Sequence, residues 1–222
     1  ISPTSTPEMK TFSKEIQTID NQAVILYKPT VTTSTTPIII YSHGSNEHIT
    51  TNGPTPQFFV EALDTYGNYF AQNGILFVAS EMYGENWGST ESLNHLKALI
   101  KHVQNEYEIE SKPNLYGFSM GGLPTLRFAK TYPDSINKIA LLAPTINMPD
   151  WNEASLRTLN DIPIRIWHGT KDVNVPPTLS EAFYQAAVAA GNTTITRNTI
   201  TNETHRHFLK PATLLDFFEP ER

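Results

Sequence analysis

Residues 114–128, NLYGFSMGGLPTLRF, place Ser119 between two glycines, directly after an apolar run and directly before a helical pattern. A sharp strand-to-helix turn with this Gly-x-Ser-x-Gly pattern strains the serine backbone, so the positions two before and two after must be small. The turn presents the hydroxyl at the carboxyl end of a sheet, where it can act as a nucleophile. The competing interpretation is a glycine-rich helix start without chemistry. The flanking strand and helix patterns, with the additional Gly122, favour the nucleophile.

Apolar runs and helical patterns alternate through most of the chain. Continuous apolar runs indicate strands buried on both faces, as in a parallel sheet. These runs are PIIIYSHG, ILFVASE, NLYGFS, KIALLAP and IPIRIWHG, and the more polar TITRNTI is predicted as a sixth strand. Helical patterns occupy residues 55–74, 89–109, 120–134, 179–191 and 211–219. Ahead of them, MKTFSKEIQTID and QAVILYKPT flank the turn signal Asp20-Asn21 and predict an antiparallel pair. The pattern predicts an α/β fold with a mostly parallel central sheet and helices on both faces.

Size and composition limit the classes of protein. The 222 residues, with 39% hydrophobic content, predict a single domain over 1–222 in which the polar residues 1–7 form a flexible N-terminal segment. Residues 145–161 leave no room for a sizeable lid. A net charge of −6 without a Lys/Arg run argues against nucleic acid as a partner. No apolar run reaches the roughly 18 residues that span a membrane. Without cysteine there is no disulfide and no thiolate catalysis.

A serine nucleophile needs a base and an acid that orients the base, and with this type of turn they follow in the order Ser, acid, His. Asp172 comes directly after the fifth of the apolar runs, in WHGTKDVNVPP, where a buried aspartate can hold an imidazole in the required tautomer. A solvated turn aspartate is the plainer interpretation of the same residue. Asp161 is the alternative acid, but it precedes the strand and so lies at the opposite end of the sheet.

Two histidines compete for the role of base. NETHRHFLKP contains His205 and His207, both after the sixth predicted strand. His205 follows small and polar residues shortly after a strand end, which favours it, whereas His207 precedes Phe208 and could pack on the last helix. The His-x-His spacing also fits a metal site, but no matching carboxylate pattern lies close by in the sequence. We therefore expect His205 as the base and no bound metal.

Backbone N–H groups are expected to stabilise the oxyanion of the reaction. The N–H of Met120, at a helix start, is the first candidate. The second should come from the loop SHGSNEH after the first central strand, where Gly44 permits close backbone approach. The N–H of Ser45 is the preferred donor, and Asn46 is the alternative. His43 precedes the serine in the chain and is interpreted as a structural histidine that ties the loop down.

The chain resembles the α/β-hydrolases, in particular small lidless carboxylesterases and dienelactone-hydrolase-like enzymes. The matching stretches are YSHGS, GFSMGG, TYPDSINKIALLAP, IRIWHGTKDVNVPP and THRHF, spread over about residues 38–208. The resemblance implies the α/β-hydrolase fold without a large lid. It assigns Ser119 as nucleophile, His205 as general base and Asp172 as orienting acid, with oxyanion N–H groups from Ser45 and Met120. One departure is NET, which stands where a glycine or similar small residue usually precedes the histidine.

The expected function is hydrolysis of a small-molecule or polymeric carboxylic ester through an acyl-enzyme, without a cofactor. Acyltransferase, thioesterase and peptidase activities fit the same residues, as does an inactive binding module of the same fold. Trp87, in the loop of residues 81–90, is either a substrate platform or a loop anchor. The sequence starts at Ile1 without Met and lacks Cys, which favours a secreted or periplasmic protein and also suits the cytoplasm.

Overall fold

A computed structural model describes residues 11–49 and 57–219. The expected flexible segment at residues 1–7 and the first two residues of the predicted helix 55–74 lie outside these ranges. The strands are β1 (Phe12–Ile19), β2 (Gln22–Pro29), β3 (Ile38–Ser42), β4 (Leu76–Ser80), β5 (Asn114–Phe118), β6 (Ile139–Leu142), β7 (Ile164–Gly169) and β8 (Thr196–Ile200). The α-helices are α1 (Gln57–Gln72), α2 (Thr90–Glu106), α3 (Gly122–Thr131), α4 (Glu153–Arg157), α5 (Pro177–Ala189) and α6 (Pro211–Phe218). Short 3₁₀ helices occupy Ser119–Gly121, Pro133–Ser135 and Met148–Asp150.

The eight strands form one sheet in the order β1-β2-β4-β3-β5-β6-β7-β8. The pairs from β4 to β8 are parallel, whereas β2 pairs antiparallel with both β1 and β4. Asp20 and Asn21 join β1 to β2 with φ of 50° and 58°, the left-handed conformation that a two-residue hairpin turn requires. The predicted mostly parallel sheet and its antiparallel N-terminal pair are confirmed.

The central strands are continuously apolar because both of their faces are covered. Along β3, Ile38 and Ile40 pack on one face with residues of α2, α3 and α5. Ile39 and Tyr41 point to the other face and pack with residues of α1 and α6. Each buried Ile or Phe side chain contributes about 1.5–3 kcal/mol of transfer free energy. The helices predicted on both faces therefore supply the two halves of the core.

The parallel strands bring several loops to one edge of the sheet. The loops that follow β3, β5, β7 and β8 all leave from carboxyl ends, so they lie side by side. Between β6 and β7 the chain forms only a short 3₁₀ helix and the five-residue α4, as expected for a protein without a large lid. No helix in the described part of the chain has the length and apolarity to cross a membrane.

Candidate active site

The turn after β5 holds Ser119 in a strained backbone conformation. Its φ is 52°, in the left-handed region that non-glycine residues seldom adopt. The turn is tight, because a Cβ at Gly117 would lie 2.7 Å from the carbonyl oxygen of Gly121. A Cβ at Gly121 would collide with the carbonyl oxygen of Ser42 at the end of β3. The two glycines are therefore required by the close approach of β5, the turn and β3.

A hydrogen bond joins Ser119 to His205, which the loop after β8 supplies. His205 Nε2 lies 2.9 Å from the Ser119 hydroxyl oxygen, and its Nδ1 lies 2.7 Å from Oδ2 of Asp172. Because a carboxylate only accepts, Nδ1 of His205 carries the proton and Nε2 is left to accept from the serine hydroxyl. This is the tautomer that a general base for Ser119 needs.

Asp172 is buried after β7 and fully hydrogen-bonded. Its Oδ1 accepts from the backbone N–H groups of Asn174 at 3.0 Å and Val175 at 2.8 Å. Its Oδ2 accepts from His205 and also lies 3.2 Å from Nε2 of His168. These donors fix the carboxylate in one orientation. The alternative acid Asp161 lies in an exposed turn before β7, away from Ser119.

His168 is a buried neighbour of Asp172 that the sequence analysis did not single out. Its Nε2 faces two acceptors, Oδ2 of Asp172 and the carbonyl oxygen of Val175 at 2.9 Å. Its Nδ1 lies 2.6 Å from the Ser180 hydroxyl, which can donate to it. Burial lowers the pKa of His168 below its ordinary value, which favours the neutral imidazole that this pattern requires. The motif WHGTKD placed this histidine four residues before Asp172 and is the signal that could have identified it.

His207 is directed to a different carboxylate. Its Nε2 lies 2.7 Å from Oε1 of Glu47, and the side chains of His207 and Glu47 are 4% and 6% exposed. Burial acts to raise the pKa of Glu47, but the charge and hydrogen bond of His207 and the N–H of Gly44 lower it overall. The two histidines that compete in the sequence thus have separate partners, and only His205 contacts Ser119. Glu47 was missed because a single glutamate in SHGSNEH carries no periodic or motif signal.

The loop after β3 lies beside the serine. Gly44, Ser45 and Asn46 line the same cleft as Ser119. Met120 is buried in the first turn of the 3₁₀ helix that Ser119 begins, where N–H groups lack acceptors within the helix. His43 is buried, with Nδ1 at 2.7 Å from the carbonyl oxygen of Gly44 and Nε2 at 2.9 Å from that of Glu81. Its position is that of a loop anchor.

The cleft over Ser119 has a volume of about 350 Å³ and is open to solvent. Trp87 forms part of its wall and is 50% exposed, with φ of 47°. Arg127 donates to the carbonyl oxygens of Trp87 and Gly88 at 3.0 and 2.8 Å, and it pairs with Asp150 at 2.7 Å. The backbone of Trp87 is therefore anchored while its indole stays free at the cleft wall. The backbone contacts are those expected of a loop anchor, and the role of Trp87 as a substrate platform stays a prediction.

The sheet order, the strained serine turn and the bonded Ser119, His205 and Asp172 are those of an α/β-hydrolase fold. A family model described as Phospholipase/Carboxylesterase matches residues 20–211. The chain belongs to this family, and it is a carboxylic ester hydrolase. No curated protein matches the sequence significantly.

Solved structures agree on the fold. Est1E from Butyrivibrio proteoclasticus has a TM-score of 0.66 at 17% identity, covering 92% of this chain and 95% of its own. The Pyrococcus furiosus esterase Pf2001 has a TM-score of 0.68 at 16% identity, covering 98% and 93%. TT1662 from Thermus thermophilus has a TM-score of 0.71 at 12% identity, covering 95% and 100%. The coverage shows that the chain corresponds to nearly the whole of each.

Proposed function

We propose that the protein hydrolyses carboxylic esters through an acyl-enzyme on Ser119, with His205 as general base and Asp172 as the acid that orients it. The observation that carries this proposal is the continuous hydrogen-bonded series from Ser119 Oγ through His205 to Asp172, in which Ser119 and His205 line an open cleft. A serine alone is a weak nucleophile, and an imidazole at 2.9 Å supplies the base that it needs.

The first half of the reaction forms the acyl-enzyme. Oγ of Ser119 bonds to the ester carbonyl carbon while its proton passes to Nε2 of His205, and the carbonyl electron pair moves to oxygen. The N–H groups of Ser45 and Met120 are the proposed donors to this oxyanion. When the carbonyl re-forms, the bond to the alkoxy oxygen breaks, and the alcohol leaves with the proton from Nε2 of His205.

Water completes the second half in the same way. It loses a proton to Nε2 of His205 as its oxygen bonds to the acyl carbon. The bond to Ser119 then breaks, and Oγ recovers the proton. Asp172 accepts the Nδ1–H of His205 throughout and stabilises the imidazolium that forms in each half. After one cycle Ser119 and His205 have their original protons, and the ester and water have become an acid and an alcohol.

The cleft indicates the size of substrate. Only a short 3₁₀ helix and α4 lie between β6 and β7, so nothing inserted there encloses a long acyl chain. We propose short acyl groups, with an alcohol part that can be large because the cleft is open. Esters of p-nitrophenol with acetate, butyrate and laurate test this, and a much faster laurate reaction would contradict it.

The test of the mechanism compares wild type with Ser119→Ala, His205→Ala and, as a control, His102→Ala on the half-exposed side of α2. We expect kcat to fall by about 10³-fold or more in the first two variants and to stay unchanged in the control. A fluorophosphonate probe should label wild type and leave Ser119→Ala unlabelled. Retained activity in Ser119→Ala would refute the proposal.

A second comparison distinguishes ester hydrolysis from peptidase and thioesterase activities. Hydrolysis rates are measured side by side with amide, thioester and oxygen ester substrates.

A further inference from the structure

A second histidine–carboxylate pair lies directly beside the proposed catalytic residues. Nε2 of His207 is 2.7 Å from Oε1 of Glu47, and both side chains are more than nine-tenths buried. Burying a carboxylate is costly unless it is paired and hydrogen-bonded. The reaction proposed above uses neither residue, so this pair needs another explanation.

The remaining oxygen of Glu47 holds the loop after β3. Oε2 accepts from the backbone N–H of Gly44 at 2.8 Å and lies 3.2 Å from the Tyr41 hydroxyl. The backbone N–H of Glu47 donates in return to the carbonyl oxygen of Gly44 at 3.2 Å. Glu47 therefore fixes the peptide groups on both sides of Gly44.

This arrangement determines where the N–H of Ser45 points. The carbonyl of Gly44 and the N–H of Ser45 belong to one trans peptide group, so they point in opposite directions. The carbonyl oxygen of Gly44 accepts from the N–H of Glu47, and it also lies 2.7 Å from Nδ1 of the buried His43 ring. The N–H of Ser45 must then face away from these groups, and Ser45 lines the cleft.

His207 connects this loop to the base. It lies two residues after His205, so one segment of chain carries both the base and the partner of Glu47. The ring of Phe118 packs against both histidines, with centroid distances of 5.1 Å to His205 and 4.0 Å to His207. Phe118 directly precedes Ser119 in the chain. Its ring therefore packs the nucleophile turn against the base and against His207, the partner of Glu47 in the loop after β3.

We infer that Glu47 and His207 are positioning residues that hold the N–H of Ser45 towards the oxyanion, and that they couple this donor to the segment carrying the base. The inference rests on the proposed function. Because oxyanion donors act on the transition state more than on the bound ester, loss of the pair should lower kcat and leave KM nearly unchanged.

The principal variant is Glu47→Gln, which keeps the shape of the side chain and removes its charge. His207→Gln is the second variant, and it separates the pair from any folding defect particular to position 47. Glu81→Gln is the matched control, since Glu81 is also a carboxylate that contacts a histidine of the same loop but bonds the N–H of Ile49 rather than Gly44. Thermal melts check that all three variants fold.

The measurements are kcat and KM for p-nitrophenyl butyrate, and Ki for an alkyl trifluoromethyl ketone, whose adduct with Ser119 carries the oxyanion. For Glu47→Gln and His207→Gln we expect kcat to fall 10- to 100-fold, KM to change less than threefold, and Ki to rise by the same factor as kcat/KM falls. Glu81→Gln should stay within threefold of wild type in all three quantities.

Kinetic constants and Ki within threefold of wild type in folded Glu47→Gln and His207→Gln would overturn the inference. A rise in KM that accounts for the whole loss would overturn it too, since the pair would then serve substrate binding. Failure of the proposed function looks different, because wild type itself would be inactive or Ser119→Ala would remain active.

Discussion

Nε2 of His168 lies 3.2 Å from Oδ2 of Asp172, the same carboxylate oxygen that accepts from His205. The acid of the proposed triad is thus held by a buried histidine that never reaches the substrate cleft. The Ser180 hydroxyl, 2.6 Å from Nδ1, in turn fixes the tautomer of His168. The bonds that position the base therefore extend from β7 into α5.

Replacing His168 should weaken both activity and stability. In His168→Phe, Asp172 loses one donor and the Ser180 hydroxyl loses its acceptor. We expect the free energy of unfolding to fall by about 1–3 kcal/mol and kcat/KM by about tenfold. Urea unfolding and ester kinetics measure the two effects. Ser180→Ala, which leaves the bond from His168 to Asp172 in place, should have the smaller effect on kcat/KM, and the reverse order would contradict this role.

The stability of the protein should decrease on mild acidification. Burial lowers the pKa of His95 and of His168 below the ordinary value of 6.5. The unfolded chain therefore takes up protons at higher pH than the native protein does. The free energy of unfolding is therefore undiminished by these two histidines above about pH 6.5, the pKa of histidine in the unfolded chain. It decreases as the pH falls from there through the native pKa values, by up to about 1.4 kcal/mol per pH unit for each proton taken up.

Urea unfolding at pH 8, 7, 6 and 5 measures this dependence. His95 lies in α2 and does not line the cleft over Ser119. His95→Gln should flatten the decrease between pH 7 and 5, because one of the two histidines no longer contributes. Its unfolding free energy at pH 8 gives the separate cost of losing the 2.6 Å bond to Ser80. An equally steep decrease in wild type and variant would show that His95 is not a source of the effect.

Trp87 should determine how well aromatic esters bind. Its indole is exposed at the cleft wall, and an aromatic contact adds about 0.5–1.5 kcal/mol beyond burial of area. Trp87→Ala should raise KM for 1-naphthyl acetate about fivefold to tenfold and KM for ethyl acetate less than twofold. Tyr83→Ala is the control, since Tyr83 is an exposed aromatic of the same loop that does not line the cleft. Equal changes for both esters would contradict a platform role.

The serine turn should not tolerate a side chain at Gly121. A Cβ there would collide with the carbonyl oxygen of Ser42 and lie 2.9 Å from that of His43. We expect Gly121→Ala to lower the free energy of unfolding by about 1–3 kcal/mol or more and to abolish activity. Gly74→Ala is the control: with φ of 81° and open space around it, it should lose about 1–2 kcal/mol and remain active. Thermal melts and kinetics decide between these outcomes, and an active, stable Gly121→Ala would contradict the packing argument.

The sequence alone determined the architecture. Short continuous apolar runs between turn signals are typical of strands that are buried on both faces of a sheet, and the helical patterns between them supply the covering layers. The order of strands and helices along the chain was therefore predictable. The strained turn at Ser119 was predictable for a similar reason, because Gly-x-Ser-x-Gly between a strand and a helix is a local requirement. The location of Asp172 close to the serine turn was predictable because it follows the carboxyl end of a strand, where parallel strands bring their loops together.

Only the tertiary structure decided which partner each histidine contacts. His205 and His207 lie two residues apart in an irregular loop, and such a segment has no periodicity that assigns side chains to faces. Glu47 precedes His207 by 160 positions in the chain and binds its ring, so that His207 is not directed at Ser119. His168 was equally hidden, because its bond to Asp172 depends on how the loop after β7 folds back over the strand. Contacts between residues distant in sequence arise only when the sheet forms. These contacts pair His205 with Asp172 and His207 with Glu47.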